Sequence, residues 1–178
     1  MKKILFILLV LLSSASFSQQ LEAGNLIPEY GKTFKIASPG FKTDTSAVFK
    51  VVFDVDRRFQ ASEPNALIET AARFLNMHEK AGVDPKNMQV ALVIHGKAVW
   101  DVLKNEYYQE KNHEVRQNPN LDLIEALSEE GVEIIICGQS ATHYNVTREK
   151  ASENVKFALS AMTALVQLQN NGYQLIKF

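Results

Sequence analysis

Gly131-Val132-Glu133-Ile134-Ile135-Ile136-Cys137-Gly138-Gln139-Ser140 is the stretch that decides the fold. An apolar, β-branched run this short, closed by glycine at both ends, predicts a strand buried on both faces, as strands of parallel sheets are. It delivers the only cysteine of the chain to the point where the backbone turns. In an open parallel sheet, the carboxyl edge of the strands is where ligands bind.

Two earlier runs have the same character. Val48-Phe49-Lys50-Val51-Val52-Phe53 ends at Asp54, and Met88–Ile94 ends at His95. Helical patterns lie between the strands. Ser62-Glu63-Pro64 opens a helix with Leu67, Ile68, Ala71, Ala72 and Leu75 at helical spacing, and Gly82 stops it. A shorter amphipathic helix is predicted at about Ala98–Tyr107. Another follows Asn118-Pro119-Asn120 and ends at Gly131. Beyond the cysteine, Val155–Leu159 predicts a short strand and Ser160 caps a helix through Asn171, with Met162 and Leu165 at core spacing. Tyr173–Phe178 predicts the last strand. Strands alternating with helices imply βαβ crossovers: an α/β fold, three-layer α/β/α, with a mostly parallel five-stranded sheet.

Upstream of this domain (48–178), residues 19–47 are polar and rich in glycine and proline. They predict an extended arm with one short edge strand at Thr33–Ile36. Residues 1–18 have the form of a secretory signal peptide: Lys2 and Lys3, the apolar Ile4–Leu12, then small residues around Ser16-Phe17-Ser18. That apolar run is short of the roughly 20 residues a spanning helix needs, so no stable membrane span is expected after cleavage. The expected location is the periplasm or the exterior. Without Lys2 and Lys3, seventeen basic residues face twenty acidic ones, a balance of −3. This balance, with no basic tract, argues against nucleic acid as a partner. One cysteine makes no internal disulfide, so stability rests on the core.

Parallel strands point one way, so Asp54, His95 and Cys137 are expected on one rim, with Asp56, Arg57, Lys97 and Ser140 from the loops. A thiol reacts as its thiolate, which neighbouring cations and helix N-termini favour. In this reading Cys137 is a solvent-accessible thiol, His95 and Lys97 tune it, Asp54 orients the histidine, and Gly138, Gln139 and Ser140 line the pocket. The plainer reading is a buried cysteine that packs as a small apolar side chain beside a binding crevice. His78, His113 and His143 lack paired ligand spacing, so no metal is expected. No strand is followed by a glycine-rich phosphate loop, so no cofactor is expected either. Asn145-Val146-Thr147 matches the glycosylation acceptor pattern. Val51–Asp56 imitates the opening of a haloacid-dehalogenase-type phosphatase, but Arg57-Arg58 stand where a small residue belongs and no later strand ends in an acidic pair.

From about Val48 to Phe178 the chain resembles the DsrE/DsrF-like family, in its exported branch. The resemblance is carried by Val51-Val52-Phe53-Asp54, Leu92-Val93-Ile94-His95-Gly96-Lys97-Ala98, Asn118-Pro119-Asn120, Gly131 to Ser140 and Gly172-Tyr173. It implies a three-layer domain that assembles as homo-oligomers, usually trimers or hexamers. Sulfur-relay members carry sulfur as a persulfide on a cysteine after a central strand, the place Cys137 occupies. The resemblance thus implies a carrier of sulfur, or a redox thiol, served by a donor or acceptor protein. Relatives without that cysteine leave open a non-catalytic binding module or an oligomeric envelope protein.

Overall fold

The computed structural model describes residues 20–178; the signal peptide inferred at 1–18 lies outside them. Five strands form one sheet: β1 (Phe49–Val55), β2 (Met88–Ile94), β3 (Glu133–Cys137), β4 (Lys156–Ala158) and β5 (Gln174–Ile176). Every pairing is parallel, in the order β4-β3-β2-β1-β5. The helices are α1 (Ala66–Lys80), α2 (Asn105–Lys111), α3 (Leu121–Glu129), α4 (Gly138–His143) and α5 (Ala161–Asn170).

Chain direction explains the layering. From β1 to β4 each new strand is added on the same side, and the intervening helices cover one face. From β4 the chain reverses across the whole sheet to reach β5, beyond β1. Crossovers of one handedness demand that this return lie on the opposite face, and α5 lies there. Val51, Phe53, Val55, Leu92, Ile94, Ile134 and Ile136 meet α1 and α3 in the larger core. Val52, Ala91, Val93, Ile135 and Cys137 meet only α5, through Ala161, Ala164 and Leu168. At about 1.5 Å per residue α5 is about 15 Å long, one helix for five strands.

Several local expectations change. The segment after β2 is not one α-helix: a 3₁₀ helix at Gly96–Val102 is followed by a separate α2. Leu103 breaks it by bridging to Ala151, while Lys104 N–H bonds the Lys150 carbonyl. The cap of α1 is Asn65, whose side chain accepts from Leu67 N–H, rather than the Ser62 region. Met162, at core spacing, points outward and is 76% exposed. Thr33–Ile36 forms no strand, only a single antiparallel bridge from Thr33 to Glu22.

The arm does not reach the carboxyl rim. It straps the outer side of α1, where the buried Asn76 side chain accepts from Ile27 N–H (3.0 Å) and donates to the Ile27 and Tyr30 carbonyls (2.9 Å each). Gly31 N–H adds a 2.9 Å bond to Glu69. Among the described residues no helix is long and apolar enough to cross a membrane.

Candidate functional site

Pleat alternation sets which side chains share a face. Asp54 follows Val52 by two positions, His95 follows Val93, and Cys137 follows Ile135. All three therefore project toward the α5 side at the carboxyl rim. Register sets His95 beside Cys137, since Ile94 pairs with Ile136, while Asp54 pairs with Val93, two positions before His95 on the same face. One acid, one imidazole and one thiol thus come from three adjacent strands.

Cys137 sits at the topological switch of the sheet. The chain leaves β3 through α4, whose Ala141 joins the larger core, and leaves β4 through α5 on the other face. Adjacent strands whose connections diverge leave a crevice between them, the usual binding place in open α/β sheets. Gly138 permits the closeness there. A Cβ on it would stand 2.5 Å from the Ala158 carbonyl oxygen, nearer than any side-chain carbon tolerates.

Cys137 itself is buried, 5% exposed, not the solvent-accessible thiol expected from the sequence, because α5 closes over it. Its surroundings are polar all the same. Ser140 N–H donates to Sγ at 3.4 Å. Burial is the largest influence on the thiol and pushes its pKa up. Hydrogen bonds from Ser140, through hydroxyl and N–H, and from the N–H groups of Ala161 and Gln139 together outweigh it and hold the pKa below the ordinary thiol value. Ser140 Oγ accepts from Gly96 N–H at 3.0 Å. With its lone pair so engaged, the hydroxyl is free to turn its proton to sulfur. Gly96 has φ +57°, and a Cβ there would lie 2.8 Å from the Asp56 carbonyl oxygen. That backbone reversal is open to glycine at little cost.

Asp54 holds two partners. Its Oδ1 is 2.7 Å from His95 Nε2 and its Oδ2 is 2.6 Å from Lys177 Nζ. Asp54 is buried while Lys177 is about half exposed. Lys177 also reaches Asp56 at 3.2 Å, and its hydrogen bonds to Asp54 and then Asp56 raise its pKa. Burial opposes ionisation of Asp56, but Lys177, Arg57 and His95 together hold its carboxyl below the usual range. Lys97 behaves otherwise. It is exposed, with no ion pair or hydrogen bond among the described residues, so nothing ties it to Cys137. Gln139 donates to the Leu159 carbonyl at 3.3 Å, on the wall of a groove of about 400 Å³ shared with Gly138, Ala158 and Arg148.

The sequence reading missed Lys177 and Arg58. Lys177 comes from the far end of the chain. Its only signal was positional: Phe53 pairs with Ile176, so Asp54 and Lys177 are the next residues on neighbouring strands. Arg57 and Arg58 part company. Arg57 bonds Asp56 (3.0 Å) and the Phe178 main-chain oxygen (2.7 Å) at the rim. Arg58 turns inward to Asp101 at 2.6 Å, between the rings of Trp100 and Tyr108. Asn65 donates to Asp101 at 2.7 Å and the Asn120 side chain accepts from Asn65 N–H. Burial raises the Asp101 pKa, against the pull of Asn65 and Arg58. This network fixes the loop that follows β1. Among the described residues, no group of three acidic, histidine or cysteine side chains is placed to hold a metal.

An all-parallel α/β sheet with a thiol at its switch point is the class to which these features belong. The sequence matches the DsrE/DsrF-like family over residues 50–178, and the chain belongs to that family. Two solved structures share the fold. The ychN protein from E. coli has a TM-score of 0.54 at 15% identity, covering 73% of this chain and 99% of that one. MTH1491 from Methanobacterium thermoautotrophicum, titled a protein of unknown function, has a TM-score of 0.50 at the same identity and coverage. No curated protein matches the sequence.

Proposed function

We propose that this chain is an exported DsrE-like sulfur carrier in which Cys137 is the acceptor. One observation carries the reading: the Cys137 thiol lies at the sheet's switch point among hydrogen-bond donors that favour its anion. In the transfer, the Cys137 thiolate attacks the outer sulfur of a donor protein's persulfide. The donor's S–S bond breaks as the new one forms, and the donor leaves as a thiolate. No oxidant or reductant is consumed. Ser140 and the N–H groups around Sγ stabilise the anion before attack. Asp54, held by Lys177, keeps His95 oriented at the neighbouring rim position.

Export is supported by the Lys2-Lys3 start and the Ile4–Leu12 run. Homo-oligomerisation is supported by the outer side of α5 and the residue before its cap, where Met162, Val166 and Leu159 are exposed beside the rim that carries the thiol. The burial of Cys137 favours a second reading, a binding module with a packing cysteine.

Alkylation of Cys137 followed against pH by intact mass tests the first reading. Reaction in the folded protein, with an apparent pKa below the ~8.5 of a free thiol, supports the carrier. A second step then asks for a persulfide mass gain from a donor persulfide, absent in Cys137→Ser. Labelling only after denaturation makes Cys137 a core residue and moves attention to the groove beside it.

A further inference from the structure

The arm presents a surface that the thiol site does not explain. Residues 32–43, Lys-Thr-Phe-Lys-Ile-Ala-Ser-Pro-Gly-Phe-Lys-Thr, carry three lysines and no acid, while the rest of the chain from residue 19 onward carries −6. Lys32, Lys35 and Lys42 are exposed and have no ion-pair or hydrogen-bond partner among the described residues. Between them Phe34, Ile36 and Phe41 are 48%, 64% and 94% exposed. Asp44 is engaged by Ser46, and Glu22 by Lys80.

The loop stands on a firm base. Asn76 and the Gly31–Glu69 bond fasten its root to α1, and the Glu22–Thr33 bridge ties the arm to itself there. Phe34, Ile36 and Pro39 form, with Met77 of α1, a groove of about 320 Å³ whose only charged wall residues are Lys35 and Lys80. Exposed apolar groups gathered this way mark a contact surface. A stable protein interface needs about 800 Å² on each partner, more than one loop offers. Aromatic side chains that protrude among lysines suit another occupant. The rings enter the boundary of a bilayer while the ammonium groups stay at the headgroups.

We propose that loop 32–43 is a peripheral docking surface for membranes bearing anionic lipid headgroups. The orientation follows from topology. α1 runs back from the carboxyl end of β1 to the amino end of β2, so Met77 and the groove lie at the amino edge. Docked there, the molecule turns the Cys137 rim away from the bilayer.

The test is flotation of the full chain with vesicles of phosphatidylcholine alone or mixed with phosphatidylglycerol, beside Lys35→Gln, Lys42→Gln and Phe41→Ser. All share the same first nineteen residues, so differences between them read the loop. The expected result is a preference for anionic vesicles that drops about fivefold for each lysine removed and drops again without Phe41, the urea midpoint being unchanged. Phe41→Trp, corrected for Trp100, should shift its emission to the blue only with anionic vesicles. Equal flotation of all variants, or an emission at position 41 that ignores lipid, overturns the proposal. So does a position-41 tryptophan already buried without lipid in a protein whose mass depends on concentration. That result would assign the loop to a second copy of the chain.

Discussion

The two faces of the sheet are built differently. On one, α1, α3 and the 3₁₀ segment seal a core in which Leu92, Ile94, Ile134 and Ile136 are all but inaccessible. On the other, α5 alone spans five strands, and its core is eight residues, three of them alanines. The first face holds the fold. The second carries the candidate site: Asp54, His95 and Cys137 all point to it. A thin face leaves room at the rim for groups that a thick core would have to desolvate completely.

Truncating each core tests this contrast most strongly. Leu92→Ala should cost about 3–4 kcal/mol in urea unfolding. Leu168→Ala, at the open rim of the thin face, should cost about 2 kcal/mol because its surroundings can collapse. Equal losses would mean that α5 is as stabilising as the layer opposite.

The two buried aspartates come next. Asp101→Ala leaves Arg58 enclosed without its partner and should cost about 3 kcal/mol. Asp54→Asn loosens Lys177, which is about half exposed and screened by water, and should cost about 1 kcal/mol. A reversed order would place the structural ion pair at the rim.

Subtler changes concern the thiol. Ser140→Ala should raise the alkylation midpoint of Cys137 toward ~8.5, while Lys97→Ala should leave it alone. Movement on Lys97→Ala instead would restore the lysine to the role the sequence suggested.

The smallest expected effect is on stability against pH. The folded thiol has a lowered pKa, so the unfolded chain binds the extra proton. Wild-type stability relative to Cys137→Ser should therefore rise as pH climbs through the folded value and level off above ~8.5. It should be lost again as pH falls. A flat difference across that window would show that the donors do not favour the anion in the folded protein.

The strands were legible because buried parallel strands are continuous apolar runs, and each lies within two residues of its expected ends. Asp54, His95 and Cys137 could be placed on one rim for the same reason. Helix faces were harder. α5 carries apolar residues most of the way round, Ala161, Met162, Ala164, Leu165, Val166 and Leu168, so periodicity could not say that Met162 faces outward. The break at Leu103 is imposed by Ala151 and Lys150, which no local pattern announces. Lys177 was invisible because its partner is brought to it only by the pairing of β1 with β5. The arm's glycines and prolines announced an irregular segment but not its anchors on α1, Asn76 and Glu69.

That last pairing has a consequence for the order of assembly. Asp54 and Lys177 are 123 positions apart, and β5 joins β1 only after the other described strands and helices have emerged. A chain made or threaded from its amino end can thus pack α1 against β1 and β2 early, since those contacts are local. The thiol's face must wait for α5 and β5. For that interval Cys137 lacks its lid and the Ala161 N–H that comes with it. The group whose chemistry is proposed to matter is the last to be sheltered, so stalled or truncated chains are the ones most open to stray oxidation.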